Sequence, residues 1–556
     1  MSVPPVLSVI VPAHDSAPWI TDLLETVLAQ GIDDMEVLVV ENGSTDDTAA
    51  LVAAVSAGDP RIHLLRSSAG SAAAARNEGI DAATGEYLVF ADADDLVPDG
   101  AYRAMLDAIS TSGSDMVVGD HLKFSPTETW SPTVRWQLFD AARRSVAPGE
   151  APALLAGRAC WNRVFRRSFW DRVGLRFPEV PSLEDIEPMT RAVAAASRVD
   201  VVQDCVYLYR DRGDASSLSL RADAAVTVRY LEQELRCATL VAEDPALRRQ
   251  HAEVVLDADG WAHLHRFLLD RPDDAATSAV AAALAPLVAA IGLGGLADVA
   301  PQRRALWHLV LDGGWAAAVR FAVGSGSADA TERTAAWIDA LTTLGGADRT
   351  STDAVAALVA DGLLPALVNA ADDVDPAVIG AWLPRLRALP LPDDGDGLVG
   401  VMADALRAGG PEAMVVASRL RHVVPLVVDR AEPTGTGLGL GGPLRGQAAS
   451  PGLTLVVSGG ELLLPVTVDD DGRRWHADLG ADGLAVGRHT VEVVSELSGV
   501  RLPVVTARMP LPPLPAADPL QPLADRRDGW RFLVERRAAP QRGLGSVLRR
   551  VTRRLR

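Results

Sequence analysis

The chain has 556 residues, 48% of them hydrophobic, enough for about three or four domains with substantial cores. Its 73 acidic residues against 53 Lys plus Arg give a net charge of −20, which argues against nucleic acid as a bulk partner. Three cysteines (Cys160, Cys205 and Cys237) supply neither a disulfide framework nor metal-ligand spacing, as expected of a reducing compartment, and the close pair His263 and His265 lacks Cys or acidic ligands in a known spacing. Met1 to Pro5 has no basic start and the next apolar run is short, so no signal peptide is expected.

In chain order, Leu7–Pro12 reads as a buried strand, Asp15 and Ser16 as capping residues, and Pro18–Gln30 as a helix. Glu36–Val40 is a second buried-strand pattern. Ser44 and Asp47 resemble a capping box opening a helix whose apolar face includes Leu51, Val52 and Val55. Arg61–Arg66 is a third strand, and Ala72–Ala83 a helix carrying Arg76 and Asn77. A fourth apolar run starting at Gly85 stops abruptly in Asp92-Ala93-Asp94-Asp95. This alternation predicts a mainly parallel sheet with helices on both faces and ligands at its carboxyl edge. Asp92 and Asp94, two residues apart, can point to one side, one to hold a metal and the other a sugar hydroxyl. Taken alone, Asp-x-Asp in so acidic a chain reads better as a surface turn, and the sequence before it is what changes that balance. Neither a dinucleotide glycine fingerprint nor a P-loop is present, which disfavours hydride transfer and phosphate cleavage.

Five motifs in order carry a resemblance: Val9-Ile10-Val11-Pro12-Ala13-His14-Asp15, Glu41-Asn42-Gly43-Ser44-Thr45-Asp46, Ala75-Arg76-Asn77-Glu78-Gly79, Asp92-Ala93-Asp94-Asp95, and Glu184-Asp185. Over residues 1–220 the chain resembles the family-2 glycosyltransferases, which have the α/β GT-A fold. Trp161-Asn162-Arg163 is similar to the Trp-Asn-Lys segment that precedes the family's acceptor site. The resemblance implies a nucleotide-sugar pocket of Pro12, Ala13, His14, Asp15, Glu41, Asn42, Arg76, Asp92 and Ala93. Glu41 and the Pro12–His14 backbone suit the base, and Arg76 offers its fork of donors to the diphosphate. Arg210 and Arg212, with Ser216 and Ser217, read either as a basic lid over the diphosphate or as solvated arginines. Asp94, with Asp92, is implied as the ligand of a divalent cation, Mn²⁺ or Mg²⁺. Ser182 is available to cap a helix beginning at Pro181–Glu187, where acids also serve as dipole partners. By resemblance Asp185 is the base of an inverting transfer, with Glu184 positioning the site. The family usually has Asp near positions 41 and 42 and Asn at 15; this chain has Glu41, Asn42 and Asp15.

Residues 221–428 carry Ala, Leu and Val at helical spacing, with Trp307, Trp315, Trp337 and Trp382 as core anchors. Ala275–Ala297 is long enough for a bilayer, but Pro286, Gly292, Gly294 and Gly295 interrupt it, and buried helices are the preferred reading. Residues 429–450 read as a Gly-rich linker. In 451–508, Leu453–Ser458, Glu461–Val468, Trp475–Leu479 and His489–Ser495 suggest a small all-β, sandwich-like domain. That domain would bind polymer, assist homo-oligomerisation or act as a cap. Residues 509–540 read as a Pro-rich spacer. In 541–556, Leu544, Val547, Leu548, Val551 and Leu555 form one helical stripe among Arg542, Arg549, Arg550, Arg553, Arg554 and Arg556. A basic amphipathic helix on an anionic membrane is one reading, a solubilising tail or an intramolecular dock the other.

The expectation is a bacterial transferase, cytoplasmic and peripheral on the inner face of the membrane. It would move a sugar from a nucleotide-sugar donor, a UDP-sugar first, to a glycan or wall-polymer acceptor. By resemblance, family members that decorate teichoic acids also join a catalytic domain to accessory domains. Two alternatives stand beside it: a non-catalytic polymer-binding or membrane-assembly protein that keeps the nucleotide-binding fold, and a phospho-alcohol transferase, for which no His-rich site is evident.

Overall fold

A computed structural model describes residues 5–68, 70–212, 223–392, 397–419, 426–434, 436–443, 453–457, 462–469, 473–482, 484–495, 501–506, 514, 518–525 and 531–536. The chain divides into two compact units, Met1–Val323 and Gly324–Arg556. The boundary expected near residue 220 therefore falls inside the first unit.

The first unit is built on β1 (Leu7–Ala13), β2 (Met35–Asn42), β3 (Ile62–Ser67), β4 (Tyr87–Phe90), β5 (Met116–Phe124), β6 (Thr129–Trp130), β7 (Arg143–Val146), β8 (Arg163–Arg166) and β9 (Val199–Arg210). They form a nine-stranded sheet in the order β3-β2-β1-β4-β8-β5-β9-β7, with β6 paired to β5. β3, β2, β1 and β4 run parallel, with Val9 opposite both Val37 and Val89. Leu7, Val9, Ile10 and Val11 are wholly buried, as a central parallel strand covered on both faces requires. Beyond β4 the sheet becomes mixed, because β8 pairs antiparallel with both β4 and β5.

Six helices, α1 (Ile20–Leu28), α2 (Thr48–Gly58), α3 (Ala72–Ala82), α4 (Ala101–Ser112), α5 (Arg167–Val173) and α6 (Ile186–Ala195), complete the α/β part. α3 lies close on the sheet: a Cβ at Gly79 would stand 2.5 Å from Cγ2 of Ile10, so this contact needs glycine. Ser71 caps α3 by accepting from Ala74 N–H. The capping box expected at Ser44 and Asp47 does not form. α2 starts at Thr48 with no side-chain cap, Asp46 accepts from Thr48 N–H, and Ser44 Oγ accepts instead from Asp15 N–H. Ser182 likewise does not cap α6; it accepts from Arg229.

The same unit continues through α7 (Ala224–Leu240), α8 (Pro245–Asp257), α9 (Asp259–Leu269), α10 (Asp274–Ile291) and α11 (Pro301–Leu311) and ends within α12 (Trp315–Ser325). Val241, Leu247 and Val254 from this helical part join the buried cluster that holds Phe90, Phe165 and Trp170. A buried ionic network ties the two parts further. Arg158 donates to both oxygens of Glu234 at 2.7 and 2.6 Å and to Asp259 at 3.2 Å, and His251 Nε2 lies 2.8 Å from Glu234. Burial opposes ionisation of Glu234, yet Arg158 and His251 hold its carboxyl below the usual range. α10 buries only a stripe of Thr277, Val280, Leu284 and Leu287, so the expected buried helix is a one-faced one. Asp274–Ile291 and Thr352–Ala370 are long and apolar enough to cross a membrane by length and composition. Trp307 is fully buried, with Nε1 donating to Leu256 O at 2.7 Å; Trp337 and Trp382 are buried too, and Trp315 is half-buried.

The second unit opens with helices from Ala330–Gly345 to Pro411–Arg419, then turns to strands between Val427 and Arg536. Among the described residues these form an eight-stranded and a four-stranded sheet, and Leu438, Trp475, Val491 and Phe532 share one buried cluster. The β region is wider than 451–508. Arg430–Pro433 and Gly437–Pro443 are strands where a linker was expected, and Leu520–Asp525 and Arg531–Arg536 are strands within the expected spacer. The glycines there serve close approach: a Cβ at Gly442 would stand 1.7 Å from Val427 O, and one at Gly437 2.0 Å from Leu479 O.

Candidate active site

At the carboxyl ends of β1 and β2, the residues expected around a nucleotide base knit two loops together. His14 Nδ1 is 2.9 Å from Asn42 O, and Asp15 accepts from Thr45 N–H at 2.7 Å. That bond holds the Asp15 carboxyl below the usual range and stabilises its left-handed φ of 45°. Asn42 accepts from Gly70 N–H and donates to Ser71 O, fixing the entry to α3. Glu41 is buried, accepts from Ser44 N–H and lies 3.4 Å from Arg66. Asp15 and Asn42, the departures from the family pattern, thus have architectural partners of their own.

At the end of β4, three acids meet three arginines. Asp92 Oδ1 accepts from Arg76 Nη2 at 2.7 Å, and its N–H donates to the Tyr207 hydroxyl at 2.8 Å. Asp94 Oδ2 accepts from Arg212 Nε at 2.7 Å and also from Nη2. Arg210 reaches back from β9: its Nε donates to Asp94 O and its N–H to Asp95 Oδ1, both at 2.7 Å. Ala93 is buried between these acids. Burial, then Asp94 and Asp92, push the Asp95 carboxyl well above its usual range; burial and Asp92 raise Asp94, against the pull of Arg212.

Arg76 joins this loop to the second acidic pair. Its Nη1 donates to Glu184 Oε1 at 2.6 Å, and its side chain is 6% exposed. The fork expected to meet a diphosphate is thereby directed at two carboxylates. Asp185, the N-cap residue of α6, follows Glu184 and Leu183, whose φ of 66° is a strained conformation for leucine. Burial, then Glu184, push the Asp185 carboxyl up to about 7, with Arg76 opposing and Asp92 reinforcing the rise. A carboxyl so poised accepts a proton near neutral pH. Geometry therefore brings Arg76, Asp92, Glu184 and Asp185 together, and separately Asp94, Arg210 and Arg212. Ser216 and Ser217, and the tail 541–556, lie outside the described residues.

Sequence reasoning missed several supports. Tyr207 anchors the Asp92 backbone and stacks on Trp161 at 4.2 Å. Phe177 lies under the Arg76 guanidinium at 5.4 Å, its backbone clamped by Asn77 through bonds of 2.8 and 3.0 Å. Trp19 faces Arg212 at 4.4 Å. Period-two alternation in Tyr207-Leu208-Tyr209-Arg210 was the signal available for Tyr207.

Among the described residues no three His, Cys, Asp or Glu side chains gather to cage a metal by themselves. Asp92 and Asp94 supply hard carboxylate oxygens. Two such groups completed by substrate phosphates are a common Mg²⁺ arrangement, so the residues fit a cation that shares its ligands with a donor.

Residues 8–174 match the model of Glycosyl transferase family 2. The uncharacterized glycosyltransferase EpsJ of Bacillus subtilis is 28% identical over 215 residues, covering 37% of this chain and 61% of EpsJ. The succinoglycan biosynthesis protein ExoO of Rhizobium meliloti is 30% identical over 231 residues, covering 39% of this chain and 64% of ExoO. The chain thus spans less than two thirds of either relative. Among solved structures, S. aureus TarS 1-349 in complex with UDP-GlcNAc is 20% identical, with a TM-score of 0.48 over 57% of this chain and 90% of that one. By the family match and these relatives, residues 8–174 form a family-2 glycosyltransferase domain of the α/β GT-A type.

Proposed function

We propose that the protein moves a sugar from a UDP-sugar to a hydroxyl of a cell-surface glycan or wall-polymer acceptor, with a divalent cation and with inversion at the anomeric carbon. The observation that carries this reading is the Arg76 bridge. One guanidinium links Asp92, on the donor loop, to Glu184, whose neighbour Asp185 is tuned to about 7. Glu41 and the Pro12–His14 backbone form the base side of the donor pocket. Arg210 and Arg212 face the diphosphate. Asp185 takes the proton from the acceptor hydroxyl as its oxygen bonds to the anomeric carbon, and the bond from that carbon to the diphosphate oxygen breaks on the opposite face. Glu184 and Arg76 position Asp185. A cation held by Asp94 and Asp92 would neutralise the leaving diphosphate as a Lewis acid.

The name of ExoO, a succinoglycan biosynthesis protein, favours a polysaccharide acceptor. With the basic tail, the reading places the enzyme in the cytoplasm, peripheral on the inner face of the membrane. The test is nucleoside-diphosphate release from a panel of UDP- and GDP-sugars, with and without Mn²⁺. Metal-dependent release from one donor supports the reading and names the sugar. Donor binding with no release, even with polymer acceptors supplied, would favour a binding protein instead.

A further inference from the structure

We infer that Arg212 is a tethered competitor of the cation: it occupies Asp94 until a cation and a nucleoside diphosphate arrive together, then moves to the diphosphate. This rests on the metal-dependent reading above and deepens it. Arg212 places Nε and Nη2 on the same oxygen of Asp94, while its guanidinium lies over Trp19 at 4.4 Å. A cation on Asp94 would face that positive charge at close range, so the two ions oppose each other there.

The neighbouring arginines differ in kind. Arg76 is 6% exposed and holds two carboxylates, which makes it a fixed part of the site. Arg210 ties down the backbone, through the carbonyl of Asp94 and the carboxylate of Asp95. Arg212 is 32% exposed and holds only a side-chain oxygen of Asp94, so releasing it leaves the loop backbone in place. A diphosphate offers the released guanidinium a new anionic partner. Cation and nucleotide therefore help each other bind, and a cation alone meets a blocked ligand. Trp19 gives the guanidinium a second resting contact, which favours exchange between two defined positions over free motion.

The experiment is Mn²⁺ binding by the full chain, read by electron paramagnetic resonance of free Mn²⁺, with and without UDP and with circular dichroism as the folding control. Arg212→Gln should bind Mn²⁺ alone roughly five- to tenfold tighter than wild type, the size expected for removing one partly exposed charged pair. UDP should then improve Mn²⁺ affinity less in Arg212→Gln than in wild type. Arg212→Lys, which keeps the competing charge, should stay near wild type. Equal or weaker Mn²⁺ binding by Arg212→Gln overturns the competition, and if Asp94→Asn still abolishes binding with UDP, the metal reading survives that failure. Mn²⁺ binding unaffected by Asp94→Asn, or absent from every variant with UDP present, overturns the metal reading and the competition with it.

Discussion

Replacing Arg76 by Met should cost the first unit about 2–3 kcal/mol and should disable transfer by a route visible in its pH dependence. The guanidinium donates to Asp92 at 2.7 Å and Glu184 at 2.6 Å, so its removal leaves both carboxylates facing each other across the site. Breaking a fully buried pair costs about 3–5 kcal/mol. Here Asp92 is 26% and Glu184 16% exposed, and water reaching them reduces the loss to about 2–3 kcal/mol. The assay is urea unfolding followed by tryptophan fluorescence, since Trp170 packs in the cluster that contains Phe90. Glu184→Gln in the Arg76→Met background should recover part of the loss, because it removes one uncompensated charge. Arg76 also holds the Asp185 carboxyl down. Arg76→Lys, which keeps a point charge but not the fork, should therefore shift the rising limb of the pH–rate profile upward by less than Arg76→Met does. A loss below about 1 kcal/mol, with an unshifted profile, would refute the bridge as an organising element.

Asp185→Asn should keep donor binding and lose transfer; wild-type transfer should rise with pH through about 7, where the carboxylate forms. The stability effect has the opposite sign: a raised carboxyl stabilises the fold most at acid pH, and that contribution falls as pH rises from the ordinary Asp value through about 7, so Asp185→Asn should flatten the pH dependence of unfolding in that window. Arg158→Met should destabilise the first unit by about 3–5 kcal/mol, since Arg158 and Glu234 are almost completely buried, and wild-type-like unfolding would remove their network as a tie between sheet and helices. Deleting residues 542–556 should release the protein from anionic vesicles in flotation while donor binding persists; unchanged flotation would refute the tail anchor.

The α/β half was legible because its signals are local. Val9–Val11 and Tyr87–Phe90 are apolar runs that only a covered parallel strand accommodates, and the acids follow where such strands end. Arg76 stood out as a candidate in the sequence but its partners did not, because Glu184 lies 108 positions away and only the folded α6 entry brings it within reach. Ser44 and Asp47 satisfied the capping pattern, yet Ser44 Oγ accepts from the distant Asp15 N–H, and it is Asp46 that meets Thr48 N–H. The Gly437–Pro443 run misled for a related reason: glycine marks a flexible linker by composition, whereas here it is what allows one strand to press against another. The helices α7–α9 are joined to the sheet through polar side chains, the buried Glu234 and His251 and the half-exposed Asp259, which a hydrophobic-period reading passes over.

The charge balance at the β4 edge is what makes the proposed divalent cation and the arginines compatible there. Burial, then Asp94 and Asp92, push the Asp95 carboxyl well above its usual range, which disfavours a further negative charge there. Asp92 and Glu184 share Arg76, and Asp94 is met by Arg212. Three carboxylates thus share two arginines, and a nucleoside diphosphate would bring further negative charge into the site against partly buried carboxylates. Arg76 cannot answer that charge without abandoning two partly buried acids, at the cost of about 2–3 kcal/mol worked out above. Arg212 can on the proposed exchange, because it would leave behind a carboxylate that suits a divalent cation. Moving one arginine from Asp94 to the diphosphate, and placing a cation on Asp94, adds positive charge on both sides of the incoming anion. It does so while the Arg76 bridge that orients Asp185 stays closed. A monovalent cation at Asp94 would replace only the charge that Arg212 removed, so Na⁺ or K⁺ should fail to support donor binding where Mn²⁺ succeeds.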